Sequence, residues 1–166
     1  GMFLTMYYVP DIENAWRSVY YLQTEVAHAQ IVRGMHHWGA SVVIVMLLLH
    51  TLRVFFQGAY KKPRELNWMV GVLLFFVMLG LGFTGYLLPW DNKAYFATQV
   101  GLEMAEQVPF IGEQLKVLLA GDASIVGAQT LTRFFAIHVF FLPAALFVLL
   151  AVHFILIRRQ GISGPL

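Results

Sequence analysis

Three apolar stretches, at about residues 38–56, 68–88 and 134–157, are each long enough to cross a lipid bilayer as a helix. Roughly 20 apolar residues span the hydrocarbon core of a membrane. The mean hydropathy of the chain is +0.69 and only 12% of its residues are charged, which excludes a water-soluble globule. The formal net charge of +2 is too small to suggest a nucleic-acid-binding protein. The sequence therefore predicts an all-α integral membrane protein.

The charged residues predict the orientation of the spans. Basic residues cluster at 61–64 and 158–159, and such clusters mark the cytoplasmic side of a membrane protein. Eight of the nine acidic residues lie in 11–33 and 91–132, and only Glu65 lies elsewhere. We therefore expect two outer loops and a cytoplasmic inner side. The second and fourth spans then run outside to inside, and the third span returns.

We expect one domain over 1–166, built as a four-helix transmembrane bundle. The chain is expected to begin within its first span, because its N-terminal apolar segment is too short to cross a bilayer. Apolar residues recur at helical spacing after Pro109, which predicts short amphipathic helices on the membrane surface in the outer loops. The expected order is the end of the first span (1–8), an outer loop (9–35), the second span (36–57), an inner loop (58–67), the third span (68–89), an outer loop with surface helices (90–132), the fourth span (133–158) and an inner tail (159–166).

Four histidines fall within the second and fourth predicted spans, where an ionisable side chain is costly and therefore suggests function. His36 and His50 are 14 residues apart, which places them within roughly 40° of one helix face and about 21 Å apart along the axis. His138 and His153 are 15 residues apart, which gives about 60° and roughly 22 Å. Because the two spans run in the same direction, His36 should meet His138 and His50 should meet His153.

A single intramembrane histidine is most often a core residue bonded to a neighbouring carbonyl or hydroxyl. Four matched positions favour metal ligands instead, and the separation of the two pairs argues against one zinc or copper ion. The chain has no cysteine, which excludes thiolate-bound clusters and covalent c-type haem on these residues. We therefore predict two non-covalent b haems, with His36 and His138 on the outer iron and His50 and His153 on the inner iron. His37 lies about 140° around the helix from His50 and is predicted not to be a ligand.

Glycines and arginines lie where two haems would need them. Gly71 and Gly85 repeat the 14-residue interval in the third span and are predicted to let a porphyrin edge approach, although glycines also serve ordinary helix packing in membranes. An arginine near each ligand could pair with an anionic propionate or could anchor the helix at the lipid headgroups. The arginines in question are Arg33, Arg53, Arg133 and Arg158.

Several motifs together resemble cytochrome b6, and the match covers essentially the whole chain. The spacing of the last two predicted ligands, His138 and His153, is similar to that in the short, split form of this family. The start of the chain and the segment 134–143 look most like the form in Gram-positive menaquinol:cytochrome c reductases. The motifs are Arg-Gly-Met-His-His-Trp at 33–38, His-Thr-Leu-Arg at 50–53, Lys-Lys-Pro-Arg-Glu-Leu at 61–66, Gly-Tyr-Leu-Leu-Pro-Trp-Asp at 85–91 and Arg-Arg-Gln-Gly-Ile-Ser-Gly-Pro-Leu at 158–166.

The resemblance implies the electron-transfer subunit of a quinol:cytochrome c oxidoreductase, or of one with a plastocyanin-like acceptor, working by a Q cycle. It implies a Rieske iron–sulfur protein, a c-type cytochrome and a homodimeric complex. A second membrane subunit would carry the family's Pro-Glu-Trp-Tyr motif, which does not occur here, so no catalytic residue is predicted and this chain alone should not be active. An outer quinol pocket is implied at Trp90, Asp91, Tyr95, Phe96 and Ala97.

The sequence departs from the family in lacking most of the first helix, and it looks truncated at its N-terminus. In split forms a cysteine in that helix holds a third haem on the inner side. We expect a location in a bacterial plasma membrane. Two other functions remain open: a dihaem anchor of another quinone-linked enzyme, such as a hydrogenase or formate dehydrogenase, and a cofactor-free channel or transporter with proton-relaying histidines.

Overall fold

Helices make up all the regular structure of the described residues, which are 1–121 and 126–162 of a computed structural model. This confirms the predicted all-α fold class. The end of the predicted inner tail, 163–166, lies outside the described residues. The helices are α1 (Met2–Thr5), α2 (Ala15–Thr24), α3 (Ala29–Phe56), α4 (Glu65–Leu87), α5 (Asn92–Glu106), α6 (Gly112–Ala120), α7 (Ala128–Ala136) and α8 (Leu142–Gln160), with a π-helical turn at Ile137–Phe141 between α7 and α8.

Three helices of the described chain are long and apolar enough to cross a membrane. They are α3 with 28 residues, α4 with 23, and the continuous helix Ala128–Gln160 with 33. At 1.5 Å per residue the shortest is about 35 Å long, which exceeds the roughly 30 Å of a hydrocarbon core. The helices α3 and α4 begin before the predicted starts at 36 and 68, because an apolar stretch marks only the part of a helix that lies in lipid, and they end at Phe56 and Leu87, just before the predicted ends at 57 and 89.

The long loop between the last two spans contains α5 and α6, as the spacing of apolar residues predicted. The carboxylate of Asp91 caps α5 by accepting a hydrogen bond of 2.8 Å from the backbone N–H of Ala94. The turn into α6 needs a glycine, because a Cβ at Gly112 would lie 2.0 Å from the carbonyl oxygen of Glu106. The first predicted outer loop, 9–35, contains one further helix, α2, which packs on the start of α3.

Helix α4 lies at the centre of the bundle and packs against both α3 and α8. The end of the bundle that carries α2, α5 and α6 is called the loop end below, and the end that carries Lys61, Lys62, Arg158 and Arg159 is called the basic end. The buried core lies at the loop end, around Leu87, Leu131 and Phe134, none of which has any exposed surface. Large apolar side chains along the spans are exposed, as helices that face lipid or partner subunits require.

Candidate cofactor site between two membrane helices

The four predicted ligand histidines lie on α3 and on the helix that ends as α8. At the loop end, the ring centres of His36 and His138 lie 6.1 Å apart with their planes at 81°. At the basic end, His50 lies on α3 and His153 on α8. The structure therefore brings His36 and His138 together, as the spacing predicted, while the meeting of His50 with His153 stays a prediction.

The separation of the loop-end rings suits one iron between them. Bonds of about 2.0 Å from one metal ion to a nitrogen of each imidazole would place the two ring centres about 6 Å apart. The observed 6.1 Å agrees with that distance. No cluster of three or more His, Cys, Asp or Glu occurs among the described residues.

A π-helical turn explains why the two unequal histidine intervals match in space. His138 lies within the turn at Ile137–Phe141, whereas α3 is α-helical from Ala29 to Phe56. A π bulge inserts one extra residue into a helical turn. The interval from His138 to His153 is one residue longer than that from His36 to His50, and the bulge absorbs this extra residue. The sequence analysis did not predict this turn.

Gly71 and Gly85 lie against the histidine rings of the neighbouring helix. A Cβ on Gly85 would lie 2.5 Å from Cε1 of His138, and one on Gly71 would lie 3.4 Å from Cε1 of His153. Real Cβ atoms do not approach within 3.0 Å, so the first position needs glycine and the second is tight. Each predicted glycine therefore contacts one predicted ligand, while its contact with a porphyrin edge stays a prediction.

Thr84 is a site residue that the sequence analysis missed. It is buried, with 4% of its surface exposed, and its Oγ1 lies 3.2 Å from Nδ1 of His138. A ligand histidine usually uses its second ring nitrogen in a hydrogen bond of this kind. The only indication in the sequence was a hydroxyl directly before Gly85. The packing of α4 on the π turn shows that the partner of this hydroxyl is His138.

The four predicted propionate-binding arginines have different environments. Arg33 donates to Oε1 of Gln23 over 3.0 Å, which joins α3 to α2. Arg133 donates to the carbonyls of Val117 and Leu118 at 3.0 and 2.5 Å, at the C-terminal end of α6. Arg53 and Arg158 are exposed. Two of the four therefore bind neighbouring helices, and their contact with a propionate stays a prediction.

The predicted quinol-pocket residues follow α4 at the loop end. Trp90 has a left-handed backbone with φ 51, and its ring meets Tyr95 edge-on with ring centres 5.9 Å apart. Tyr95 in turn meets Phe96 at 5.3 Å. The carboxylate of Asp91 caps its own helix, and Ala97 is exposed. The structure thus clusters the three aromatic residues, and the binding of quinol there stays a prediction.

Comparisons with known proteins agree with this arrangement. The family model described as cytochrome b/b6/petB matches residues 1–161. The menaquinol:cytochrome c reductase cytochrome b subunit of Bacillus subtilis is 82% identical over 166 residues, which are all of this chain and 74% of that protein. Cytochrome b6 of Synechocystis sp. is 46% identical over the same length, with 74% of it covered. A chain of a solved hyperthermophilic respiratory Complex III matches with a TM-score of 0.90 at 32% identity, over 99% of this chain and 44% of that one.

Proposed function

The chain belongs to the cytochrome b/b6 family, and from this we propose that it is the electron-transfer subunit of a complex III-type quinol:cytochrome c oxidoreductase. Membership of this family implies that it binds haem b. Its activity belongs to the assembled complex, in which electrons cross the membrane from an outer quinol-oxidation site to an inner quinone-reduction site. The relatives that are 80% identical or more carry menaquinol in their names, which supports menaquinol as the substrate.

The separation of His36 and His138 is the observation that carries this proposal. These residues would hold the iron of one b haem, and His50 and His153 would hold that of a second. Gly85 leaves space for the His138 ring on the π turn, and Gly71 leaves space for the His153 ring on α8. Haem, when bound, supplies reversible one-electron exchange at its iron. The residues of this chain would supply the iron ligands from α3 and from the helix that ends as α8.

The loop end is the outer side in this proposal, and the basic end is cytoplasmic. The basic clusters at 61–64 and 158–159 support this orientation in a bacterial plasma membrane. Arg33 and Arg133 would then lie near the outer haem, and Arg53 and Arg158 near the inner haem. A third haem on the inner side remains part of the proposal.

The aromatic cluster after α4 supports a quinol pocket in the assembled complex, formed by Trp90, Asp91, Tyr95, Phe96 and Ala97. An aromatic surface at the loop end suits the flat ring of a quinol. The rest of the pocket would come from a second membrane subunit with the Pro-Glu-Trp-Tyr motif. A Rieske iron–sulfur protein and a c-type cytochrome complete the proposed complex, which we expect to be a homodimer.

A reduced-minus-oxidised visible spectrum of the purified complex, with pyridine haemochrome quantitation for the separated subunit, tests the proposal. Two b haems per chain are expected. One haem would mean that one histidine pair is not a ligand pair. No haem would contradict the proposal and favour a channel or transporter in which the histidines relay protons. Two haems without quinol:cytochrome c reductase activity in the intact complex would favour the anchor of another quinone-linked enzyme.

A further inference from the structure

The hydroxyl of Thr84 has a defined hydrogen-bond pattern. Its Oγ1 lies 2.7 Å from the carbonyl oxygen of Gly80 and 3.2 Å from Nδ1 of His138. A hydroxyl has one proton to donate and two lone pairs to accept with, and a carbonyl oxygen can only accept. The proton of Thr84 therefore goes to Gly80, and Thr84 accepts from His138.

This pattern fixes the tautomer of the His138 ring. Nδ1 must carry the proton that Thr84 accepts, which leaves the lone pair of Nε2 free. A metal-bound histidine needs this tautomer when Nε2 is its ligand atom. The missing Cβ of Gly85 lets the ring lie close enough to α4 for the bond to form, since a Cβ there would lie 3.0 Å from Nδ1.

The equivalent position at the basic end has no hydroxyl. Val70 stands 14 residues before Thr84 and directly before Gly71, which contacts the His153 ring. Nδ1 of His153 is buried and makes no hydrogen bond with any described residue. The backbone of Asn67 lies near the His153 ring, and the backbone of Leu81, 14 residues later, likewise lies near the His138 ring. The two predicted ligand rings of this helix therefore differ in one interaction, which is the bond to Thr84.

We infer that Thr84 is a positioning residue that holds His138 in its ligand tautomer and lowers the reduction potential of the loop-end haem. This rests on the proposed function, because it requires the two haems. An acceptor on Nδ1–H makes the imidazole a stronger base, and a more basic ligand stabilises ferric iron over ferrous iron. Reduction adds one electron to the iron, and the Nδ1 proton stays on the ring in both states. The unpaired ring of His153 lacks this effect.

A redox titration of the b haems in the purified complex tests the inference with Thr84→Val, which removes the hydroxyl and keeps the shape of the side chain. The midpoint potential of the loop-end haem should rise, and that of the other haem should stay constant. Thr84→Ser retains the hydroxyl and should stay close to the unmodified complex. Thr132 also bonds carbonyls of its own helix, at 3.1 Å, but no histidine, so Thr132→Val should move neither potential.

Val70→Thr is the reciprocal variant. It places a hydroxyl beside the unpaired Nδ1 of His153, so the potential of the basic-end haem should fall. Repeating the titrations in a His50→Ala background, which keeps only the loop-end ligand pair, identifies the haem that shifts. If Thr84→Val loses the loop-end haem, Val70→Thr decides the question alone.

Unchanged potentials in Thr84→Val and Val70→Thr would overturn the inference, and so would an equal shift of both haems in Thr84→Val. Failure of the proposed function looks different, because the unmodified complex would then lack two b haems. A complex that has two haems, and whose potentials do not change in Thr84→Val or Val70→Thr, would contradict only the role of Thr84 and leave the proposed function intact.

Discussion

At the scale of single residues, Gly85 occupies the most restricted position beside a predicted ligand. An alanine Cβ there would lie 2.5 Å from Cε1 of His138, so the ring must move away from α4. We expect Gly85→Ala to lower the haem content of the purified chain from two haems toward one. Pyridine haemochrome quantitation against protein concentration measures this.

Gly82→Ala is the matched control on the same helix. A Cβ at Gly82 would lie 3.4 Å from Cδ1 of Ile44, the end of a flexible side chain. Replacing glycine by alanine inside a helix also gains about 1 kcal/mol in helix propensity. We expect this variant to keep both haems, and equal haem loss in the two variants would contradict the specific role of Gly85.

At the scale of helices, the π turn compensates for the one-residue difference between the two histidine intervals. Deleting Phe140 from the turn should let it become α-helical, and His138 and His153 would then have the same spacing as His36 and His50. The two histidines keep their relative orientation in this variant, so we expect it to retain two b haems. The reduced-minus-oxidised spectrum measures the result.

A deletion in α3 serves as the comparison, because that helix has no π turn to absorb the change. Deleting Val43 shortens the interval between His36 and His50 by one residue, which turns one ring about 100° relative to the other. We expect this variant to lose at least one haem. Retention of both haems after this deletion, or their loss after the deletion of Phe140, would show that the π turn does not set the alignment.

A second relation between helices is the attachment of α6 to α7. Thr130 donates to the carbonyl of Ala120 over 2.7 Å, and Arg133, one turn later, donates to those of Val117 and Leu118. The last carbonyls of a helix lack partners within it, and a cation is favourable there. These two side chains therefore cap α6 from the neighbouring helix.

We expect Arg133→Gln to weaken this cap by roughly 1 kcal/mol, because charged hydrogen bonds to exposed carbonyls are lost. Amide hydrogen exchange in α6 should become faster, while exchange in α4 stays constant. The same variant tests the predicted propionate contact. A shift in the potential of the loop-end haem with unchanged exchange in α6 would mean that Arg133 binds the cofactor and does not hold α6.

At the scale of the whole molecule, the cofactors would join two helices that α4 otherwise holds apart. We expect His36→Ala to lose the loop-end haem and keep the basic-end haem, since each pair lies at its own level of the bundle. His37→Ala is the matched control. His37 lies about 100° around the helix from His36, and its ring meets Trp38 at 5.5 Å between ring centres, so this variant should retain both haems in the same spectral assay. Haem loss in His37→Ala but not in His36→Ala would mean that His37, and not His36, is the ligand.

The sequence alone determined the all-α class, the three spans and the meeting of His36 with His138, because these depend on properties that a regular helix repeats at fixed intervals. Hydropathy marks the residues that lie in lipid, and a helical period of about 3.6 residues aligns side chains along one face. The ends of the helices were less predictable, because α3 and α7 continue as helices past the apolar stretches that identified them.

The tertiary structure decided which neighbour each of these side chains meets. The π turn at His138, the contact of Gly85 with that ring and the bond from His138 to Thr84 all arise where two helices pack. Arg133 was predicted from its distance along the chain to a ligand, yet its hydrogen bonds go to α6. Periodicity describes one helix at a time, whereas these contacts depend on the distance and rotation between helices, which only packing fixes.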